Sequence, residues 1–460
     1  MTSSHLVLES KYKIDFHVKL YCWSLVAEPL MFFVLTDVHQ TGSALTLSRL
    51  LQIWAGLYFV AHVIKNGISI PSPSFRYYKL YWIYILVGLA STLMGVIYFG
   101  SYTLINSPAD DHGGLLLVQF LRGTHTRPFI EVGLTLYYFV YFFVLPKYLI
   151  KTSPQLRYLL DLTVKVFKVV VVIGLIDVVQ YIFTGVNFVP RHLVDSRFIE
   201  LGTRFHGFAG EPRDAFPYLI FGLTVYYLRA AIFSQIATSK YLVYFTVLAL
   251  FLTQSASGLI GIVIAASIYI VVDMRFSIAR IAKILLTLVV GGTILFLVVT
   301  ETDRLKEYVD AADGLSEVLK SGDELHPRLF SQSSNIFPVW QVFIYLSEYN
   351  VLPVVFGSGF GSASFVNNNL GGMAELVNPQ SNFIRLIYEV GFLGLFFYVT
   401  SQLLPMQHLK SLIGDDKGRL IYLLTILLIG SCLGHRSTTI FIFCGIVVAI
   451  ISIKRNSSNV

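Results

Sequence analysis

From Val18 to the C-terminus the chain alternates between apolar runs and short polar breaks. The runs are about 20 residues long, and at about 1.5 Å per residue such a run crosses a hydrocarbon slab of about 30 Å. Each must be a helix, because lipid cannot satisfy open backbone groups. The pattern predicts an all-α fold, a single membrane domain over residues 1–460 built as a polytopic transmembrane bundle of about twelve spans. They are Val18 to Asp37, Ala44 to Ile64, Lys79 to Gly100, Pro128 to Ile150, Leu162 to Gly185, Ala215 to Phe233, Tyr241 to Gln254, Gly258 to Val272, Ile281 to Thr300, Asn382 to Leu404, Leu420 to Gly434 and Thr438 to Ile453. The first run lacks a small-residue cleavage pattern, so it reads as a retained span.

Basic residues mark one side. Lys65, Arg76 and Lys79 flank one connection, Lys147, Lys151 and Arg157 another, Arg275, Arg280 and Lys283 a third, and Lys410, Lys417 and Arg419 a fourth, with Lys454 and Arg455 at the end. An even span count puts all of them, and both termini, in the cytoplasm. The long connections, Ser101 to Arg127, Val186 to Asp214 and Glu301 to Ser381, then share the outer face. The last, residues 301–381 between the ninth and tenth spans, is long enough to carry function. Its stretch from Pro338 to Leu352 is amphipathic enough for an interfacial helix.

Composition sharpens this picture. Hydrophobic residues make up 55% of the chain, charged residues 13%, and the mean hydropathy is +0.69. A soluble core is excluded. The net charge of +7 comes from short clusters between apolar runs with no interleaved basic and aromatic stripe, so nucleic acid is not an expected partner. Cys22, Cys432 and Cys444 lie inside apolar segments, far from any metal-ligand spacing, so neither a disulfide framework nor a zinc site is indicated.

The candidate chemistry gathers on the outer face. Arg204-Phe-His-Gly-Phe-Ala-Gly-Glu-Pro-Arg-Asp, ending at Asp214, packs two arginines, His206 and Glu211 into a turn before the sixth span. Guanidinium groups hold phosphate oxygens in bidentate pairs at any working pH, so Arg204 and Arg213 are candidates for a pyrophosphate clamp. The alternative is that they snorkel to headgroups or pair with Glu211 and Asp214. Thr253 to Gly261 reads as a small-residue packing break. The glycines of Phe356-Gly-Ser-Gly-Phe-Gly have the spacing of an anion nest without its usual context. Arg385 and Glu389, four apart, share a helix face and can neutralise each other. Asp177, Glu28 and Glu131 are buried acids of open purpose, and His435 and Arg436 sit in the last outer turn.

Three of these segments, in this order, resemble the O-antigen polymerase and ligase family: Arg204, Gly207, Glu211 and Pro212 before a span; Thr253 to Gly258; and a long outer loop with Arg328, Gly357-Ser-Gly-Phe-Gly and Glu389 to Gly394. The resemblance spans Arg204 to Val399. It implies action on glycans carried by undecaprenyl pyrophosphate at the periplasmic face of the bacterial inner membrane, without nucleotide sugar, metal or other cofactor. Membrane lipid and a chain-length regulator protein are the further partners it implies. Gln380 stands where the ligase branch typically has histidine, and glutamine cannot act as a general base. A polymerase joining lipid-linked repeat units is therefore favoured over a ligase acting on lipid A core. A transporter of the lipid-linked glycan is the rival from another class, although no symmetry between halves is evident. Under the polymerase reading, Arg204, Arg328, Glu211 and His206 are the expected catalytic residues, with Glu211 or His206 taking the acceptor proton. Arg213, Arg436, His435, Gln380 and Asn382 are the expected substrate-binding residues.

Overall fold

A computed structural model describes residues 14–30, 46–66, 75–99, 127–189, 202–233, 239–272, 338–371, 379 and 381–458. Its helices, numbered over these residues, are α1 (Phe16–Ala27), α2 (Leu47–Asn66), α3 (Phe75–Phe99), α4 (Arg127–Leu149), α5 (Ser153–Thr184), α6 (Pro212–Ile232) and α7 (Lys240–Leu252). There follow α8 (Ala256–Val272), α9 (Pro338–Glu348), α10 (Val351–Phe356), α11 (Ala363–Gly371), α12 (Asn382–Ile413), α13 (Asp415–Gly434) and α14 (Thr439–Ser458). Among the described residues there is no strand, and a helix stands at every expected span except Ile281 to Thr300, which lies outside them. The all-α membrane class therefore holds.

The span count is lower among the described residues. Five helical stretches are long and apolar enough to cross a membrane: Leu47–Lys65, Arg127–Leu149, Pro212–Ile232, Asn382–Ile413 and Asp416–Gly434. A sixth candidate is the pair α7 and α8, which qualifies jointly but bends by 115° at its break. These had been expected as two separate spans. Arms of 13 and 17 residues are each shorter than a slab of about 30 Å at about 1.5 Å per residue. Outward stripes fit a lipid surround: Trp54, Leu57, Val60 and Ile64 on α2, and Val172, Ile176, Val179 and Phe183 on α5, are all exposed at helical spacing.

Lipid tails give apolar helices no reason to associate, so contact depends on close fit. α8 and α13 meet through small residues: an added Cβ on Gly261 would lie 2.6 Å from the Ser431 Cα, and added Cβ atoms on Gly430 and Gly434 would run into the carbonyls of Gly261 and Ser257. The small-residue reading of the Thr253 to Gly261 break is correct. Aromatic rings fill the centre between α3, α4, α12 and α14. Tyr81 stacks on Phe139 at 4.6 Å between centroids, and Tyr84 meets Tyr398 at 5.2 Å. Such pairs contribute about 0.5–1.5 kcal/mol each beyond the area they cover.

Two helices depart from regularity for readable reasons. Pro146 cannot donate to the Phe142 carbonyl, and in α4 the turn ahead of it, Phe139–Val144, widens to π geometry. Gly445 of α14 packs directly on that freed carbonyl. In α12, Gly391 adopts φ 65° and ψ −175° and interrupts the helix. The released carbonyls of Tyr388 and Glu389 are taken up by the N–H groups of Ser358 and Gly359, both at 2.8 Å. Phe360 N–H donates to Thr92 Oγ1 of α3 at 3.0 Å. The Phe356 to Gly361 loop is thus a backbone clamp between α3 and α12, and the amides of Gly357, Ser358, Gly359 and Phe360 are not spare donors for an anion.

The Pro338 to Leu352 stretch is helical, as expected, but in two pieces that break at Tyr349–Asn350. Instead of lying only along an interface, α9 docks on α12: Gln341 and Tyr345 are fully buried, and Tyr345 meets Tyr388 at 4.9 Å between centroids.

Candidate functional site

Five charged side chains converge where the N-terminal ends of α4 and α12 meet the α13–α14 turn. Glu131, one turn into α4, is 1% exposed. Arg127 of its own helix reaches Oε1 at 2.8 Å, while Arg385 of α12 and Arg436 of the turn reach Oε2 at 2.6 and 3.2 Å. Arg385 also donates through Nε to Glu389 Oε1 at 3.0 Å. Among the described residues this sets three guanidinium groups against two carboxylates, leaving one positive charge in excess. A buried charge survives only when it is paired and hydrogen-bonded, which accounts for the density of the network.

The cluster faces a cleft. Its walls include Arg385, Glu389, Arg436, Asn382, Tyr81, Tyr84, Tyr138 and Tyr398. Arg436 lies 5.6 Å from the centre of the Tyr138 ring, close enough for a cation–π contact that fixes the guanidinium at the rim. Asn382 donates its amide to the Cys432 carbonyl at 2.9 Å, tying the start of α12 to α13. The opening helix ends add partial positive charge on the same side. Cationic at one wall and aromatic at the others, the cleft can hold an anionic group with a flat or ring-shaped neighbour.

The residues expected from sequence divide into two groups. Arg436 and Asn382 line the cleft. His435 points the other way, with Nε2 2.8 Å from Asp214 Oδ1 at the start of α6, so the α13–α14 turn joins the cluster to the segment that begins at Arg204. That segment is drawn to local partners. Arg213 Nε pairs with Glu211 Oε2 at 2.5 Å, and Arg204 Nε donates to the Thr253 carbonyl at 3.4 Å. His206 is 1% exposed, its Nε2 3.3 Å from Asp177 Oδ2.

Asp177 has partners beyond His206. Its carboxylate receives the N–H groups of Phe188 and Val189 at 2.7 and 2.8 Å and the Asn187 amide at 2.9 Å. It holds the turn after α5. Glu28 is likewise accounted for by Gln52, which donates to it, and by Arg49 at 3.5 Å. Arg328 and Gln380 lie outside the described residues.

Sequence reasoning missed Glu131 as the hub and treated Arg385 and Glu389 as a pair closed on itself. A usable signal was present: Arg127 and Glu131 are four apart at the mouth of a span, as are Arg385 and Glu389. No family model, curated protein or solved structure matches the chain.

Proposed function

We propose that this protein is a glycosyltransferase that polymerises oligosaccharide repeat units carried on undecaprenyl pyrophosphate, at the periplasmic face of a bacterial inner membrane. The observation that carries the reading is the cleft in which partly buried, paired arginines stand opposite tyrosines. A lipid-linked sugar pyrophosphate presents the matching chemistry: charged oxygens for Arg385 and Arg436, and a sugar ring for the partly exposed Tyr138 at the rim. Its leaving group is already activated. The protein then has to place donor and acceptor and neutralise charge growing on the departing pyrophosphate, for which fixed guanidinium groups suit. The ordered resemblance of the Arg204, Thr253 and Glu389 segments to O-antigen polymerases supports the same reading.

A second reading is favoured by one feature. Discontinuous helices are common in transporters, and both the α7–α8 bend and the Gly391 break are of that kind.

Gel analysis of the surface glycan from a deletion strain separates the readings. A polymerase predicts loss of the ladder with survival of a single repeat on lipid A core, and the variant Arg436→Ala should reproduce that pattern at normal protein level. Complete loss of glycan from the core would instead indicate a ligase. Lipid-linked repeats trapped on the cytoplasmic leaflet would indicate a transporter, and an unchanged ladder would sink all three.

A further inference from the structure

We infer that Glu389 is the general base that takes the proton from the acceptor sugar hydroxyl, an inference that rests on the polymerase reading above.

Among the described residues, Glu389 is the only carboxylate lining the cleft. The alternatives are engaged elsewhere: Glu211 pairs with Arg213, His206 is buried on Asp177, and both oxygens of Glu131 are held by arginines. Glu389 differs from these. Its Oε1 accepts from Arg385, while its Oε2 has no hydrogen-bond or ion-pair partner among the described residues. One oxygen therefore orients the carboxylate and leaves the other for a hydroxyl. The backbone is fixed too, because the Glu389 carbonyl receives the Gly359 N–H at 2.8 Å just before the Gly391 break.

The step balances. The acceptor O–H bond breaks and its proton goes to Glu389 Oε2, while the hydroxyl oxygen forms a bond to the donor's anomeric carbon. The bond from that carbon to the pyrophosphate oxygen breaks, and the pyrophosphate leaves with the electron pair. Glu389 then returns the proton to water. Negative charge leaves Glu389 as it builds on the pyrophosphate, and Arg385 and Arg436 stand beside both. The charged and titratable groups facing Glu389 are Arg385 on its own helix, Glu131 from α4, Arg436 from the α13–α14 turn and Tyr84 from α3.

The test uses full-length protein in nanodiscs, with the lipid-linked repeat units that accumulate in a deletion strain as substrate. For Glu389→Gln, elongation should fall by about 10²–10⁴-fold. Binding of the repeats, followed by native mass spectrometry, should stay within a few fold of wild type. The acid limb of the wild-type pH–rate profile should vanish in Glu389→Gln and persist, at a lower rate, in Glu389→Asp, which keeps the charge if the glutamine variant folds poorly. Normal elongation by Glu389→Gln overturns the assignment, as does an acid limb retained alongside weakened binding, which would make Glu389 a positioning residue for Arg385. If wild-type protein fails to bind the repeats at all, the polymerase reading itself falls.

Discussion

Glu131→Ala should destabilise the folded protein by about 3–5 kcal/mol, the cost of stripping a buried ion network of one partner. Arg127, Arg385 and Arg436 all direct a nitrogen at this carboxylate. Without it, Arg385 keeps only Glu389, and Arg436 keeps the Tyr138 ring. Three guanidinium groups against one carboxylate then crowd the end of the bundle, where desolvation makes their repulsion costly. The measurement is thermal unfolding in a mild detergent, compared with Gly133→Ala two residues away, where an added Cβ meets nothing within 4 Å. Equal melting of the two variants would show that the network contributes nothing to the fold.

Gly391→Ala should cost about 3–5 kcal/mol as well, for a different reason. Positive φ with ψ near 180° is a region essentially confined to glycine, and a side chain there costs on the order of 1–3 kcal/mol. The new Cβ would also run into the Val355 carbonyl, and overpacking of that kind adds about 1–3 kcal/mol. Gly357, at φ 83° and ψ −179°, is in the same position on the other side of the contact. Because the two glycines lock together, Gly357→Ala combined with Gly391→Ala should cost less than the sum of the single changes. Full additivity in the same unfolding assay would argue that the Gly357 loop and the α12 break are independent.

Helices were readable from the chain because a bilayer demands long apolar runs, and most run ends lie within a few residues of the helix ends. The start of α5 moved far because charge misled: Arg157 and Asp161 lie ahead of the expected span at Leu162 but sit inside the helix, which begins at Ser153 behind a Thr152–Gln155 capping box. The α7–α8 bend escaped because hydropathy records how apolar a run is and carries nothing about direction. Within the cluster, the i,i+4 spacings of Arg127 with Glu131 and Arg385 with Glu389 are local and legible. The links that make it a site are not. Glu131 lies 254 residues from Arg385 and 305 from Arg436, and only the packing of α4, α12 and the α13–α14 turn decides that they meet. In the Arg204 segment the alternative read from the sequence, pairing of Arg213 with Glu211, is present, whereas the reach of Arg204 to the Thr253 carbonyl is a contact across 49 residues that no local spacing signals.

The widened turn of α4 sets the phase of everything before it. A π turn carries one residue more than an α turn over the same rise, and one residue corresponds to about 100° of rotation in a regular helix. Glu131, Thr135 and Tyr138 lie on one side of Phe139–Val144, and Pro146 with its Gly445 contact lies on the other. Deleting a single residue within that turn would give a more regular helix whose two halves no longer agree: with Pro146 anchored, Glu131 would swing about a quarter turn away from Arg385 and Arg436. Length variation in α4 is therefore tolerable ahead of Arg127 or beyond Leu149, whereas inside the helix its register is as constrained as the identity of Glu131.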